Sequence, residues 1–218
     1  MPLRYAPVVA AMCTLPVIGA GADAPPAAGA SGTFRVLLDG KPIGQHRFSA
    51  TASADDAAER TMVSEATFAV RFLGITVYRY QHRAVEHWRG DCLVALSADT
   101  DDNGQRTRVS ARAQGERFEV SAPVAQAERG CVMSFAYWSP ALRAQQRLLN
   151  AQTGRIEPVH ISALGDNPLT VGERTVSASG WRISGPAQPI DVWYSPHGDW
   201  LGLDTRVEGG RTLSYRRL

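Results

Sequence analysis

Residues 98–109 read ADTDDNGQRTRV, and the fold turns on how this stretch is read. Asp99, Asp101 and Asn103 place oxygen ligands at alternate positions, and Gly104 follows where a calcium loop makes its sharp turn. An EF-hand also needs a bidentate glutamate at the twelfth loop position and a helix on either side. Counted from Asp99, the twelfth position is Ser110, and the flanks alternate like strands. Asn-Gly between alternating runs is the strongest short hairpin signal, because both residues accept positive φ. The stretch therefore reads as a hairpin turn, and no metal site is expected.

The same period of two recurs outward in both directions. Phe34, Val36 and Leu38 alternate along one strand, and DGKPIG turns the chain toward His46 and Phe48. Phe68, Val70 and Phe72 alternate along another. Gly74 reads as a bulge or bend. ITVYRYQHRAVEHW continues as a long strand with Tyr78 and Tyr80 on one face. Downstream, Phe118 and Val120 alternate, and VHISAL, RTVSASGWRIS, PIDVWYS, LGLDTRVE and RTLSYRRL are separated by GDNP, GPAQP, SPHGD and EGGR. Strand-length runs divided by Gly, Pro, Asn and Asp turns imply a mainly antiparallel β-protein. The expected form is a single curved sheet or half-open β-barrel.

One segment departs from this pattern. Ser139 suits an N-cap, Pro140 the first helical position, and good helix formers follow to Leu149 before Asn150 and Gly154. Trp138, Leu142 and Leu149 would share a face, with Leu148 close by. A short helix is expected here, lying across the sheet as a lid over a cavity or as a cap on the core.

Length and charge limit the alternatives. The chain has 218 residues, 44% of them hydrophobic, enough for one domain over 33–218. A net charge of +2, with Lys41 the only lysine, gives no footprint for nucleic acid. Residues 1–22 read as a signal peptide: Arg4, an apolar run from Ala6 to Ile18, then Ala20, Gly21 and Ala22 as a cleavage pattern. Cleavage near Ala22 would leave 23–32 as a flexible lead-in and place the protein in the periplasm or outside the cell. Export leaves Cys92 and Cys131 as an even pair, expected to form a disulfide. Closing that loop contributes roughly 3–4 kcal/mol.

The strands FRVLLDGKPIG and YRYQHRAVEHWRGDCL, the segments FAYW and LLNAQTG, and the closing DVWYSPHGDWLGLDTRVEGGRTLSYRRL resemble an uncharacterised family of exported bacterial proteins, a domain of unknown function. More distantly the chain is similar to the LolA/LolB-like periplasmic lipoprotein carriers. That likeness implies a curved sheet holding acyl chains, and it transfers no functional residue.

Chemical motifs are sparse. His82 and His87 stand five apart on one strand and so face opposite ways, which does not suit a shared metal. His46 is alone near a turn, and His160 lies on a polar face. Glu86 reads as polarity near a strand end. Ser195, His197 and Asp199 sit within one turn, where turn preference explains them. Neither a phosphate loop nor a dinucleotide motif is present, so no cofactor is expected. The leading reading is a monomer that binds a lipid or other apolar ligand, lined by Phe68, Val70, Phe72, Tyr78, Tyr80, Trp138, Leu142, Trp181 and Trp193. A second reading is an envelope interaction protein using an open sheet edge through transient contacts. A third is an unrecognised hydrolase or isomerase.

Overall fold

The computed structural model describes residues 30–56 and 58–218. The signal peptide and most of the lead-in lie outside the described residues. Thirteen strands form one antiparallel sheet. In chain order they are β1 (Gly32–Leu38), β2 (Lys41–Ala52), β3 (Glu59–Phe72), β4 (Ile75–Arg89), β5 (Cys92–Asp102), β6 (Gln105–Gln114), β7 (Arg117–Ser121) and β8 (Gln126–Arg129), then β11 (His160–Val171), β12 (Arg174–Ser184), β13 (Ile190–Tyr194), β14 (Trp200–Arg206) and β15 (Thr212–Arg217). Between these two runs, β9 (Arg147–Leu149) and β10 (Ile156–Pro158) make a small separate pair.

The spatial order is β11 through β15, then β1 through β8. Each strand follows its chain neighbour, except that the first and last strands meet in mid-sheet, where Val36 pairs with Tyr215. The two edges are blunted: β8 has only four residues, and β11 carries a bulge at Leu164 and an N–H-free Pro168.

The Asn103–Gly104 turn is as expected. β5 ends at Asp102, β6 begins at Gln105, and Asn103 and Gly104 take φ of 52° and 93°. Asp101 accepts from the Gly104 N–H at 2.8 Å and ion-pairs with Arg106, which explains its carboxylate without a cation. Gly74 differs from expectation. Leu73 and Gly74, at φ 49° and 81°, form a tight turn that ends β3 and starts β4. A leucine at the first of these positions gives no turn signal in the sequence.

The expected helix over 139–150 is not formed. Ser139 does cap a turn, its Oγ accepting from the Ala141 N–H, and Pro140 does open it. The turn is a 3₁₀ piece of five residues, Pro140–Ala144, and Gln145 is already extended. Leu148 and Leu149 instead pair as β9 with Glu157 and Ile156. Intrinsic helix preference is worth only tenths of a kcal/mol per residue, and here tertiary pairing outweighs it.

Residues 131–158 fill the concave side of the sheet. Val132, Met133, Ala136, Trp138, Leu142, Leu148 and Leu149 pack with Phe34 of β1, Trp88 of β4, Phe118 of β7, Ile183 of β12 and Trp200 of β14 in one cluster. A single cluster drawing on strands this far apart means that the sheet curls around the inserted segment. Trp88 meets Trp138 edge-on at 5.2 Å, and Tyr137 meets Trp200 at 5.3 Å. Cys92 and Cys131 are joined, 39 positions apart, tying the start of the insert to β5. Leu142 is fully buried, so its turn caps a packed core.

Candidate functional site

On β4, Tyr80, His82, Ala84, Glu86 and Trp88 all point inward, as period two requires. Tyr80 and Trp88 fix which face is buried, and His82 and Glu86 follow by parity. Two polar groups are thus carried into the core.

The register assembles the rest. His46 of β2, Ala66 of β3, His82 of β4 and Thr100 of β5 lie in one row across four strands. Alanine between the two imidazoles leaves them room, and their rings stand 6.5 Å apart, edge to face. His82 Nδ1 is hydrogen-bonded to Thr100 Oγ1 at 2.9 Å. The His46 ring lies against Phe48 at 4.1 Å and Tyr215 at 5.7 Å. His46 as a whole residue is only half-buried, but both its ring nitrogens are closed off and meet no hydrogen-bond partner among the described residues. The next row, Phe48, Ser64, Ala84 and Ala98, is made of small side chains apart from Phe48. The row beyond it holds Met62 and Glu86.

The small row leaves a cavity of about 190 Å³. His46 and His82 line one side, Met62 and Glu86 the other, and Ser64 and Ala84 its floor. The insert covers it with Ser134–Trp138 and Asn150–Gln152. Larger depressions, about 680 Å³ over β6–β8 and about 780 Å³ over β3–β6, are open furrows on the outer surface. The smaller cavity, partly roofed by the insert, gathers the shifted groups His46, His82 and Glu86 and is the candidate site.

Burial sets its electrostatics. Glu86 is 8% exposed, and loss of solvent raises its carboxyl from 4.5 to about 7. Trp88 Nε1 donates to Glu86 Oε2 at 3.1 Å and Ser134 adds a second hydrogen bond, both opposing that rise. Burial, helped by the charge of His82, lowers His46 to about 3. Burial alone lowers His82 to about 4. At neutral pH the cavity therefore presents two uncharged imidazoles and one carboxyl close to half-protonation. Among the described residues, no group of three or more His, Cys, Asp or Glu is placed to hold a metal ion.

Of the residues expected to line a ligand, Trp138 borders this cavity. Phe68 and Tyr80 stack at 4.5 Å in a neighbouring cluster with Val36 and Ala66, with Tyr78 packed at its margin. Leu142 is core, and Trp181 packs at the margin of that core. Trp193 donates to Asp204 at 2.8 Å on the other side of the sheet's core, beside Leu169, Ala178 and Leu201. Val70 is half-buried, and Phe72 is 66% exposed. His46, Ser64, Glu86 and Ser134 were missed by sequence reading. For Glu86 the signal was available, because it shares the parity of Tyr80 and Trp88. His87, on the opposite face, is exposed and bonds Thr61 at 3.1 Å. Ser195 accepts from the Asp199 and His197 N–H groups within its own turn.

Fold and cavity together define an open, β-barrel-like antiparallel protein with a filled concave face and a small, partly open pocket that holds His46, His82 and Glu86. Residues 34–218 match the family described as Domain of unknown function (DUF6134), and the chain belongs to it. It is similar to a crystal structure from Brucella abortus, a beta-barrel-like protein of domain of unknown function DUF1849. The identity is 10% and the TM-score 0.61, covering 86% of this chain and 94% of that one, a likeness of fold alone. A comparison with curated proteins finds no match. The LolA/LolB-like relationship is not shown by these comparisons.

Proposed function

We propose that the chain is an exported binding protein that holds a compact, uncharged amphiphilic molecule in the cavity beneath residues 134–138. The observation that carries this reading is Glu86: a carboxyl buried on the inner face of a curved sheet and lining the pocket under the insert. Burying such a group is costly, and its neighbours only partly offset the cost. Uncharged imidazoles and a carboxyl close to half-protonation can donate to and accept from a neutral polar head, while Phe48, Tyr137 and Trp138 offer apolar wall. A permanently charged ligand would meet no permanent counter-charge, because His46 and His82 are uncharged and Glu86 is only partly ionised near neutral pH.

The size of the cavity narrows the broader expectation of a lipid. About 190 Å³ is smaller than the roughly 300–1,000 Å³ of typical ligand pockets, which favours a compact molecule over an extended acyl chain. The edge-addition alternative has less support, because both sheet edges are short or interrupted.

Native mass spectrometry of the protein purified from its own envelope tests the proposal. The parent is expected to carry a small adduct, and Ser64→Leu, which fills the floor of the cavity, is expected to lose it while keeping its fold. An adduct retained by Ser64→Leu would place the ligand elsewhere. A parent that carries none would remove the binding reading.

A further inference from the structure

The β3–β4 hairpin is longer than its neighbours. β2 pairs with β3 only as far as Gly44 against Phe68, and β5 with β4 only as far as Tyr80 against Asp102. Beyond that line, β3 and β4 pair only with each other, Ala69 with Arg79, Val70 with Tyr78, Arg71 with Thr76 and Phe72 with Ile75. The last ties to the neighbouring hairpin are made by Arg79, whose C=O accepts from the Asn103 N–H at 2.8 Å and whose N–H donates to Asn103 Oδ1 at 3.4 Å, and by the Tyr78–Asp102 hydrogen bond. At about 3.3 Å per residue this two-stranded ribbon projects on the order of 13 Å past the sheet.

Its apex is apolar and open on every side. Phe72, Leu73, Ile75 and Val77 are 66%, 86%, 69% and 52% exposed. All seven residues from Arg71 to Val77 are exposed, so both ribbon faces are bare. Val77 has no partner opposite it, because the register slips between Val70 and Arg71. The turn itself is unusual for this chain. Two other turns with the same positive φ pair use Asp39–Gly40 and Asn103–Gly104, residues that tolerate it. The ribbon puts Leu73 at φ 49°. That leucine neither packs against the protein nor suits its backbone.

The charges beside this apex are basic. Arg71 and Arg79 stand on the ribbon and are exposed. On the adjacent β5–β6 hairpin, Asp99 is paired with Arg108, Asp101 is held by the Gly104 N–H and Arg106, which keep its carboxyl low, and Asp102 is hydrogen-bonded to Tyr78 of the ribbon. Large apolar groups at a projecting tip with cations at its base match a bilayer interface, where apolar side chains enter to about 5–10 Å and arginines meet anionic headgroups. A protein partner would bury one face of a ribbon, whereas a fluid layer surrounds both.

We propose that the β3–β4 ribbon is a membrane-surface anchor: Phe72, Leu73, Ile75 and Val77 enter the interfacial layer of a bilayer, and Arg71 and Arg79 select anionic lipid. The anchor is independent of what the cavity holds.

Hydrogen exchange of the full chain tests this at the ribbon itself, with phosphatidylcholine vesicles that contain or lack phosphatidylglycerol. Amides of residues 69–79 are expected to slow by about tenfold or more on the anionic vesicles, and less on the neutral ones. Leu73→Asn, which suits the turn, should remove that protection with the fold and the remaining exchange pattern unchanged. Arg71→Ala with Arg79→Ala should remove the preference for phosphatidylglycerol. Ribbon exchange that is the same with and without vesicles, even while the chain sediments with them, would overturn the proposal and assign binding to another segment. Protection that grows with protein concentration in the absence of lipid would overturn it in favour of a second copy of the chain.

Discussion

The two halves of the β3–β4 hairpin invert each other. In the half embedded in the sheet, β4 carries His82 and Glu86 inward, both 8% exposed. In the half that projects, the same two strands carry Phe72, Ile75 and Val77 into solvent. One continuous ladder thus buries ionisable groups at one end and exposes large apolar ones at the other. Neither choice helps the isolated chain: the first costs desolvation and the second leaves hydrophobic burial unused. Where a sequence breaks the rules that shape the rest of its fold, the break marks sites kept for something other than stability. Here the breaks fall at the pocket beneath residues 134–138 and at a bare tip.

The largest expected effect comes from making one substitution in both environments. Leu142→Ala removes a fully buried side chain from the insert that fills the concave face, and should cost about 2–5 kcal/mol. Leu73→Ala removes an 86% exposed side chain and should change stability by no more than about 0.5 kcal/mol. Urea denaturation of both variants measures the gap. A small loss at Leu142 would mean that the insert is a loose lid, and a large loss at Leu73 would mean that the apex already packs against something.

That gap also shows where the sequence was legible. Period two and turn residues disclosed the strands and the Asn103–Gly104 hairpin, because both rest on local chemistry, whereas the pairing of Cys92 with Cys131 followed from an even cysteine count on the expectation of export. The segment 139–150 was misread because its helix signals, Ser139 and Pro140, are real but serve a single 3₁₀ turn. The pairing of Leu148 and Leu149 with β10 depends on residues the local pattern does not see. The site divides the same way. Glu86 could be read from the parity of its own strand. His46 could not, since its approach to His82 depends on Ala66 lying between them in the register of three strands.

The second effect sharpens the embedded half. Glu86 has its pKa raised in the folded chain from 4.5 to about 7. The folded state therefore holds this proton more tightly than the unfolded state. Its contribution is complete below pH 4.5 and is lost as the pH climbs through 7, a change of roughly 3 kcal/mol. His46 and His82 run the other way. They are lowered to about 3 and about 4, so their contribution is present above 6.5 and is lost on acidification toward those values. Glu86→Gln keeps the shape and cannot ionise, and the histidine contributions are common to both chains. The variant should therefore gain roughly 2–3 kcal/mol more over the parent at pH 8 than at pH 5. Chemical denaturation at the two pH values is the measurement. A gain independent of pH would show that Glu86 titrates normally and would remove the basis for an uncharged site.

The smallest effect belongs to the projecting half and has the opposite sign from most substitutions. Leu73 occupies a left-handed conformation at φ 49°, where an L-residue with a bulky side chain pays on the order of 1 kcal/mol. Asn103 holds the matching place in its own turn at φ 52°. Asparagine tolerates this region, and the Leu73 side chain is 86% exposed, so little packing is lost in the exchange. Leu73→Asn should stabilise the chain by about 0.5–1 kcal/mol, seen as a higher urea midpoint with an unchanged slope. The reciprocal change, Asn103→Leu, should destabilise by at least as much, because Asn103 Oδ1 also accepts from the Arg79 N–H at 3.4 Å. If Leu73→Asn instead lowers stability, the leucine is packed in the free protein, the apex is not bare, and the contrast between the two halves of the hairpin disappears.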